Sequence, residues 1–164
     1  MRQIVDPLAT LFSSQTMAHL EQMNMPYLGF HMLRNCLTQK LLGDSEGPIL
    51  YWLGKDIGSQ ISLQSAHDLI LPFIRLGLGK LDLLEEREQL YRYSLTHSVF
   101  THMEQERLER SLLLECGIIA GAISHWLQKE ANAQLELLTS DKSKHFDVHI
   151  IISVGDVLFT NQRL

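Results

Sequence analysis

The sequence has few cysteines, no long apolar run and no excess of basic side chains. Its two cysteines, Cys36 and Cys116, lack paired spacing, so we expect neither a disulfide framework nor a zinc knuckle. No apolar run reaches the roughly 18 residues that a membrane span needs. The formal net charge is −5. Without a basic stripe for phosphate contacts, nucleic acid is not an expected partner.

Complete catalytic motifs are also missing. There is no glycine-rich phosphate loop, no GxSxG and no Walker motif. The histidine pairs His97/His102 and His145/His149 lack the carboxylate that a metal site of the HExxH or facial-triad kind requires. We therefore predict a non-enzymatic protein with no catalytic residue, no metal and no cofactor. The free thiols and the lack of a signal peptide predict a cytoplasmic location.

The composition is that of a globular protein. Apolar residues make up 45% of the 164 residues and charged residues 20%, which is typical of one folded domain. Residues 1–25 are weakly patterned, and we predict a weakly ordered N-terminal extension there. Residues 26–164 contain no linker or repeat, so we predict a single α+β domain.

Three helices are predicted in the first half of this domain, at 26–42, 49–61 and 65–76. Pro26 and Pro48 suit first turns, and Ser65 with Asp68 forms a weak capping pair. In the first helix the apolar face consists of Leu28, Met32, Leu33, Cys36 and Leu37.

The second half alternates between strand and helix patterns. Period-two alternation predicts one hairpin at about 81–95 and another at about 132–153, with polar turns. Between them, residues 103–129 predict one long helix, apolar almost all round in its second part and therefore buried on several sides. The order α-α-α-β-β-α-β-β predicts helices packed on one face of an antiparallel sheet.

Glycines stand four residues apart in two helices. Gly54 and Gly58 lie in the second helix, and Gly117 and Gly121 in the long one. Glycine costs a helix interior about 1 kcal/mol relative to alanine, so each stripe needs a reason. We predict close helix packing, between these two helices or against a partner chain. Separate relief of crowded spots, or a groove that admits a ligand, are the alternatives.

Cys116 lies beside the glycine stripe, in the middle of a helix. A reactive thiol needs a nearby cation or a helix N-terminus to lower its pKa, whereas Cys116 follows Glu115 among apolar residues. We therefore predict a buried, inert thiol. The same is predicted for Cys36 on the apolar face of the first helix.

Three phrases resemble those of the YslB-like family of Gram-positive bacteria: GFHMLRNCLTQKLLG (29–43), ILYWLGKDIGSQISL (49–63) and LLLECGIIAGAI (112–123). Residues 116–137 also resemble the C-terminal half of TRAPP-type vesicle-tethering subunits. The fold is similar to that of 4-vinyl-reductase-like ligand-binding domains. The resemblance spans about residues 26–153 and implies a TRAPP-like α+β fold. The acylated cysteine of the tethering subunits has no counterpart in ISLQSAHD (61–68).

The resemblance implies two functions, because related folds dimerise through their helices and some hold a small apolar ligand. Our first hypothesis is a homodimeric interaction or scaffold module. The alternative is a sensor or carrier that binds an acyl-like ligand between helices and sheet. Its expected lining is Tyr51, Trp52, Phe73, Cys116 and Ala120.

Overall fold

A four-stranded antiparallel sheet carries the apolar core on one face. The computed structural model describes residues 6–24, 26–139 and 146–155. The strands are β1 (Lys80–Arg87), β2 (Leu90–Thr96), β3 (Glu130–Thr139) and β4 (Phe146–Gly155). They pair in the order β1-β2-β4-β3. Both predicted hairpins are therefore present, and their last strands meet at the centre of the sheet. The predicted turn of the second hairpin, from residue 140 onward, and His145 lie outside the described residues.

Alternation along the two central strands decides which face is buried. Tyr91, Tyr93 and Leu95 of β2 are buried, and Val148, Ile150 and Ile152 of β4 lie opposite them on the same face. Successive side chains of a strand point to opposite faces, so the intervening residues form the outer face. The phenolic hydroxyl of Tyr93 donates a hydrogen bond to the carbonyl oxygen of Ala66, which satisfies its buried polar atom.

Helices cover that buried face. They are α1 (Ser14–Leu20), α2 (Tyr27–His31), α3 (Thr38–Leu42), α4 (Glu46–Ser59), α5 (Ile70–Arg75), α6 (Gln105–Ser111) and α7 (Leu113–Leu127). A π-helical segment, Met32–Leu37, joins α2 to α3. We call residues 27–42 the first rod. The predicted α+β class, with helices on one face of the sheet, is confirmed.

The long predicted helix is divided in two. The helix is interrupted at Leu112, whose ψ of −9° departs from the usual helical value of about −42°, so that α6 and α7 are separate. α7 lies between the sheet and α4, and residues 115–123 are all buried. This position explains why its sequence is apolar on every side. The predicted cap of the third helix is present, since Asp68 accepts hydrogen bonds from the backbone of Gln64 and Ser65.

The N-terminal segment differs from the predicted extension. Among the described residues 6–24, Leu8 is 2% exposed and belongs to the main core. Asp6 and Glu21 both pair with Arg75 of α5. Residues 6–24 therefore rest on the domain. Their apolar residues follow no regular period, which is why the pattern indicated little order. Residues 1–5 and Met25 of the predicted extension lie outside the described residues.

No helix in the described parts of the chain has both the length and the apolar character that a membrane span requires.

Candidate functional site

The backbones of α4 and α7 touch through the four glycines singled out in the sequence. A Cβ atom added to Gly54 would lie 3.0 Å from the Cα of Gly117. A Cβ on Gly58 would overlap the carbonyl oxygen of Ile118, and one on Gly121 would overlap that of Lys55. The two stripes therefore face each other within this chain. At these four positions the two helices leave no space for a ligand.

The five residues predicted to line a ligand site do not surround a cavity. Phe73, Cys116 and Ala120 have no exposed surface, so no water-sized space lies against them. Trp52 is 64% exposed on the outer side of α4, where Lys55 Nζ lies 5.3 Å from its ring centroid. Close packing of the protein thus fills the space around Phe73, Cys116 and Ala120.

Tyr51 and Cys116 have structural roles in this arrangement. The hydroxyl oxygen of Tyr51 accepts a hydrogen bond of 3.0 Å from the backbone N–H of Ala133, which ties α4 to β3. Burial, with a smaller effect from Glu115, raises the pKa of the Cys116 thiol well above its usual range. A thiol that stays protonated is a poor nucleophile.

The polar side of the first rod faces inward. Arg34 of the π-helical segment forms an ion pair with Glu115 of α7, whose carboxylate is 1% exposed. Among the described residues, no N–H is aligned for a hydrogen bond to either Glu115 oxygen, so charge is the main attraction between them. An uncompensated charge at such depth is very costly. The pair therefore fixes Arg34 in position.

A second buried carboxylate, Glu46, accepts a hydrogen bond from the C-terminal part of the first rod. Arg107 of α6 donates to both Glu46 oxygens, at 2.6 Å from Nη2 to Oε1, and the hydroxyl of Thr38 donates to Oε1 at 2.6 Å. The Arg107 hydrogen bonds are the main cause that lowers the pKa of Glu46, and burial opposes them. This network joins α3, α4 and α6.

The apolar side of the first rod consequently faces solvent. Leu28 is 81% exposed and Leu41 is 72% exposed. Cys36, predicted to be buried, is exposed as well. The prediction of the apolar face was correct in its spacing and wrong in its direction, because Arg34 and Thr38 are drawn inward by carboxylates distant in sequence. The exposed leucine and methionine residues of the rod are Leu28, Met32, Leu33, Leu37 and Leu41.

Further large apolar side chains are exposed on α4. Ile49, Trp52 and Leu53 are exposed at helical spacing on the side away from the glycines. We call these three residues and the five of the rod the outer apolar face. Eight large exposed apolar side chains on consecutive helices are unusual for a surface that meets only water.

Among the cavities lined by the described residues, two lie at the edges of the helical layer. One, beneath the rod, has a volume of about 20 Å³ and is lined in part by Tyr27, Arg34, Asn35 and His97. It holds one water molecule at most. The other lies between the N-terminal segment and α5, has a volume of about 140 Å³ and is mainly apolar.

Sequence reasoning missed Arg34, Glu46, Arg107 and Glu115. One signal was present: Glu115 interrupts an apolar run, and a buried glutamate almost always has a partner. The spacing could not show which arginine that partner is. In the described residues, no three His, Cys, Asp or Glu side chains are grouped so that they would hold a metal ion.

Solved structures of several other proteins share this fold. A vinyl-4-reductase family protein from Methanocaldococcus jannaschii is 17% identical, with a TM-score of 0.60 over 96% of this chain and 99% of the other. A trafficking protein particle complex subunit 3 from Naegleria fowleri, covalently bound to palmitic acid, is 12% identical, with a TM-score of 0.52 over 77% and 93%. The phenol-responsive sensory domain of the transcription activator PoxR, solved with phenol, is 13% identical, with a TM-score of 0.53 over 81% and 76%. The fold is thus one that also occurs in ligand-binding and sensory domains.

Within that fold, the sequence defines the family. Residues 27–152 match the model of the family described as protein of unknown function (DUF2507), and the chain belongs to this family. The uncharacterized protein YslB of Bacillus subtilis (strain 168) is 23% identical over 105 residues, which are 64% of this chain and 71% of YslB. The resemblance stated from the sequence phrases is confirmed.

Proposed function

We propose that this protein is a non-enzymatic, cytosolic interaction module whose chains pair through the outer apolar face. The observation that carries the proposal is the direction of the first rod, whose apolar side faces outward while Arg34 faces inward. Exposing apolar side chains is unfavourable by about 25 cal/mol per Å² relative to burying them. A second copy of the same face would cover them.

The composition of the face favours self-association. A standard interface buries about 800 Å² on each partner and places apolar and aromatic residues at its centre. Trp52 and five leucines match that composition. A two-fold axis would bring each copy of the face against itself, which is the commonest arrangement of homodimers. The exposed free Cys36 also fits a reducing compartment.

Sedimentation velocity over a range of micromolar concentrations tests this proposal. We expect the wild-type chain to be a dimer and the Leu28→Glu and Leu41→Glu variants to be monomers with unchanged circular dichroism. Leu84→Glu is the matched control, because Leu84 is 53% exposed but lies on β1, and it should remain a dimer. Dimers of both variants would show that the chains pair through a different surface, and a monomeric wild type would refute self-association. Pairing with a different protein would then be the better hypothesis.

A second candidate function is the sensing or carriage of a small apolar ligand. It is supported by the mainly apolar cavity of about 140 Å³ and by the fold shared with a phenol-responsive domain. Phe73, Cys116 and Ala120 of the predicted lining have no exposed surface, so we propose a site outside that lining. Native mass spectrometry of the purified protein should reveal a non-covalent apolar adduct. If only the bare chain is found and added apolar compounds do not bind, this candidate fails.

A further inference from the structure

The cavity of about 140 Å³ lies under the N-terminal segment, and none of the predicted ligand residues lines it. Its apolar wall is contributed by two parts of the chain, the segment before and within α1 and the end of α5. The apolar lining residues are Leu8, Phe12, Met17, Leu20 and Leu76. Leu8 belongs to the main core, whereas Leu20 is 51% exposed. The cavity therefore has a closed floor and an open edge.

The volume of the cavity limits the size of the ligand that it can hold. At about 140 Å³, the cavity is close to the roughly 150 Å³ of an engineered apolar cavity that binds benzene. The atoms that line such a space lack dispersion partners on one side, so a molecule that fills it gains contacts. Met17 adds adaptability, because a thioether side chain adjusts to irregular shapes and makes favourable contacts with aromatic rings.

The charged groups at the edge select against anions. Arg75 Nη1 lies 2.8 Å from both carboxylate oxygens of Asp6, and Arg75 Nε lies 2.6 Å from Glu21 Oε1. One guanidinium is thus shared by two carboxylates, and this cluster has a formal charge of −1. A fatty-acid carboxylate would have to displace one of them and would be repelled by the other.

The cover of the cavity is held by few contacts. None of the residues of α1 is buried, and Met17 is the α1 residue packed against the core. The polar contacts of this segment with α5 include the Asp6 and Glu21 ion pairs with Arg75 and a 3.4 Å contact from Arg75 Nη2 to the sulfur of Met17. A ligand therefore has to separate little packed surface in order to enter.

From the volume, the lining and the charge, we propose that this cavity binds a neutral, benzene-sized apolar molecule. The proposal rests on the second candidate function, to which it gives a place and a ligand class, and it is independent of self-association.

Methyl NMR of the full chain with benzene as the probe tests the site. Benzene should shift the Met17 methyl resonance in a saturable manner. Leu20→Trp and Leu76→Phe, which fill the cavity from opposite walls, should each weaken benzene binding about tenfold or more, a change that corresponds to about 1.4 kcal/mol. Leu71→Trp is the matched control, because Leu71 is 55% exposed on α5 and does not line the cavity. It should leave benzene binding unchanged.

Decanoate at a pH where it is ionised tests the ligand class. It should bind at least about tenfold more weakly than benzene, and equal or tighter binding would overturn the assignment to neutral molecules. Benzene binding that neither filling variant weakens would place the ligand elsewhere, so the site would be wrong while the ligand-binding function stands. If benzene does not bind, the site is refuted. The native mass spectrum then decides separately whether any ligand function remains.

Discussion

Gly54 of α4 and Gly117 of α7 face each other so closely that a Cβ on either would lie 3.0 Å from the other's Cα. The nearest atoms belong to backbone and not to the ends of side chains, so no rotamer change can make room. Helices usually pack with their axes 8–10 Å apart, depending on the side chains at the contact. This pair approaches through residues without side chains, and that approach brings α4 against the central helix.

Gly117→Ala should therefore destabilise the protein. Alanine is worth about 1 kcal/mol more than glycine in an isolated helix, but here its methyl group would overlap the carbonyl oxygen of Tyr51. Overpacking of this kind costs about 1–3 kcal/mol, and more when the backbone has to move. Urea unfolding measures the change. Gly155→Ala is the control, because among the described residues no atom beyond its chain neighbours lies within 4 Å of a Cβ at that position. Unchanged or increased stability of Gly117→Ala would contradict the close approach.

Removing one partner of the buried ion pair should be costly, and removing both should not. Arg34→Met leaves the Glu115 carboxylate buried without its cation, which typically costs about 3–5 kcal/mol. Adding Glu115→Met should recover most of that loss. Arg110→Met removes a more exposed arginine of α6 that pairs with Glu106 and should cost less than about 1 kcal/mol. If the double variant is as unstable as Arg34→Met alone, the pair is not the source of the effect.

Local patterns predicted those features that depend on neighbours in the sequence. The hairpins follow from alternation, and the burial of α7 follows from an apolar sequence on every side of the helix. The spacing of Gly54 and Gly58 matched that of Gly117 and Gly121, and the structure places these stripes opposite each other. Glycine carries such information because few other causes account for two of them in one helix interior.

The direction of the first rod depends on distant residues and could not be predicted in this way. An amphipathic pattern shows that a helix has an apolar face and a polar face. It does not show which of the two faces packs against the rest of the protein. Arg34 and Thr38 turn inward because they meet Glu115 and Glu46, which are 81 and eight positions away. The cavity under α1 was missed for a similar reason. Leu8 and Leu76 meet only after the chain has folded back.

The Glu46 network predicts a loss of stability in acid. The pKa of the Glu46 carboxyl in the folded protein is below the ordinary value of 4.5. Near that pH the folded state therefore binds fewer protons than the unfolded state does. The contribution of the Glu46 charge to the free energy of unfolding is complete above pH 4.5, and it is lost as the pH falls through the pKa of Glu46 in the folded protein. The stability gap between wild type and Glu46→Gln should therefore narrow in that window.

Urea unfolding of both proteins at a series of pH values between about 7 and 3 measures this gap. Comparing the two proteins at each pH removes the contribution of other carboxylates that titrate in the same range. Glu104→Gln, at an exposed position, is the control and should remain close to wild type throughout. A gap that stays constant from neutral to acid pH would mean that the Glu46 charge does not stabilise the folded state.

The two thiols should differ in reactivity, and Cys36 is the one that should report on the outer apolar face. Cys36 is exposed in the single chain and lies among the leucines of the first rod, whereas Cys116 has no exposed surface and a raised pKa. A disulfide reagent such as DTNB should modify Cys36 in dilute protein and reach Cys116 only after unfolding, because attack needs an accessible thiolate.

Self-association through the rod should slow the Cys36 reaction as the protein concentration rises. In the Leu28→Glu variant the rate should not change with concentration. A Cys36 rate in the wild type that is equally independent of concentration would show that the rod is not the surface that pairs.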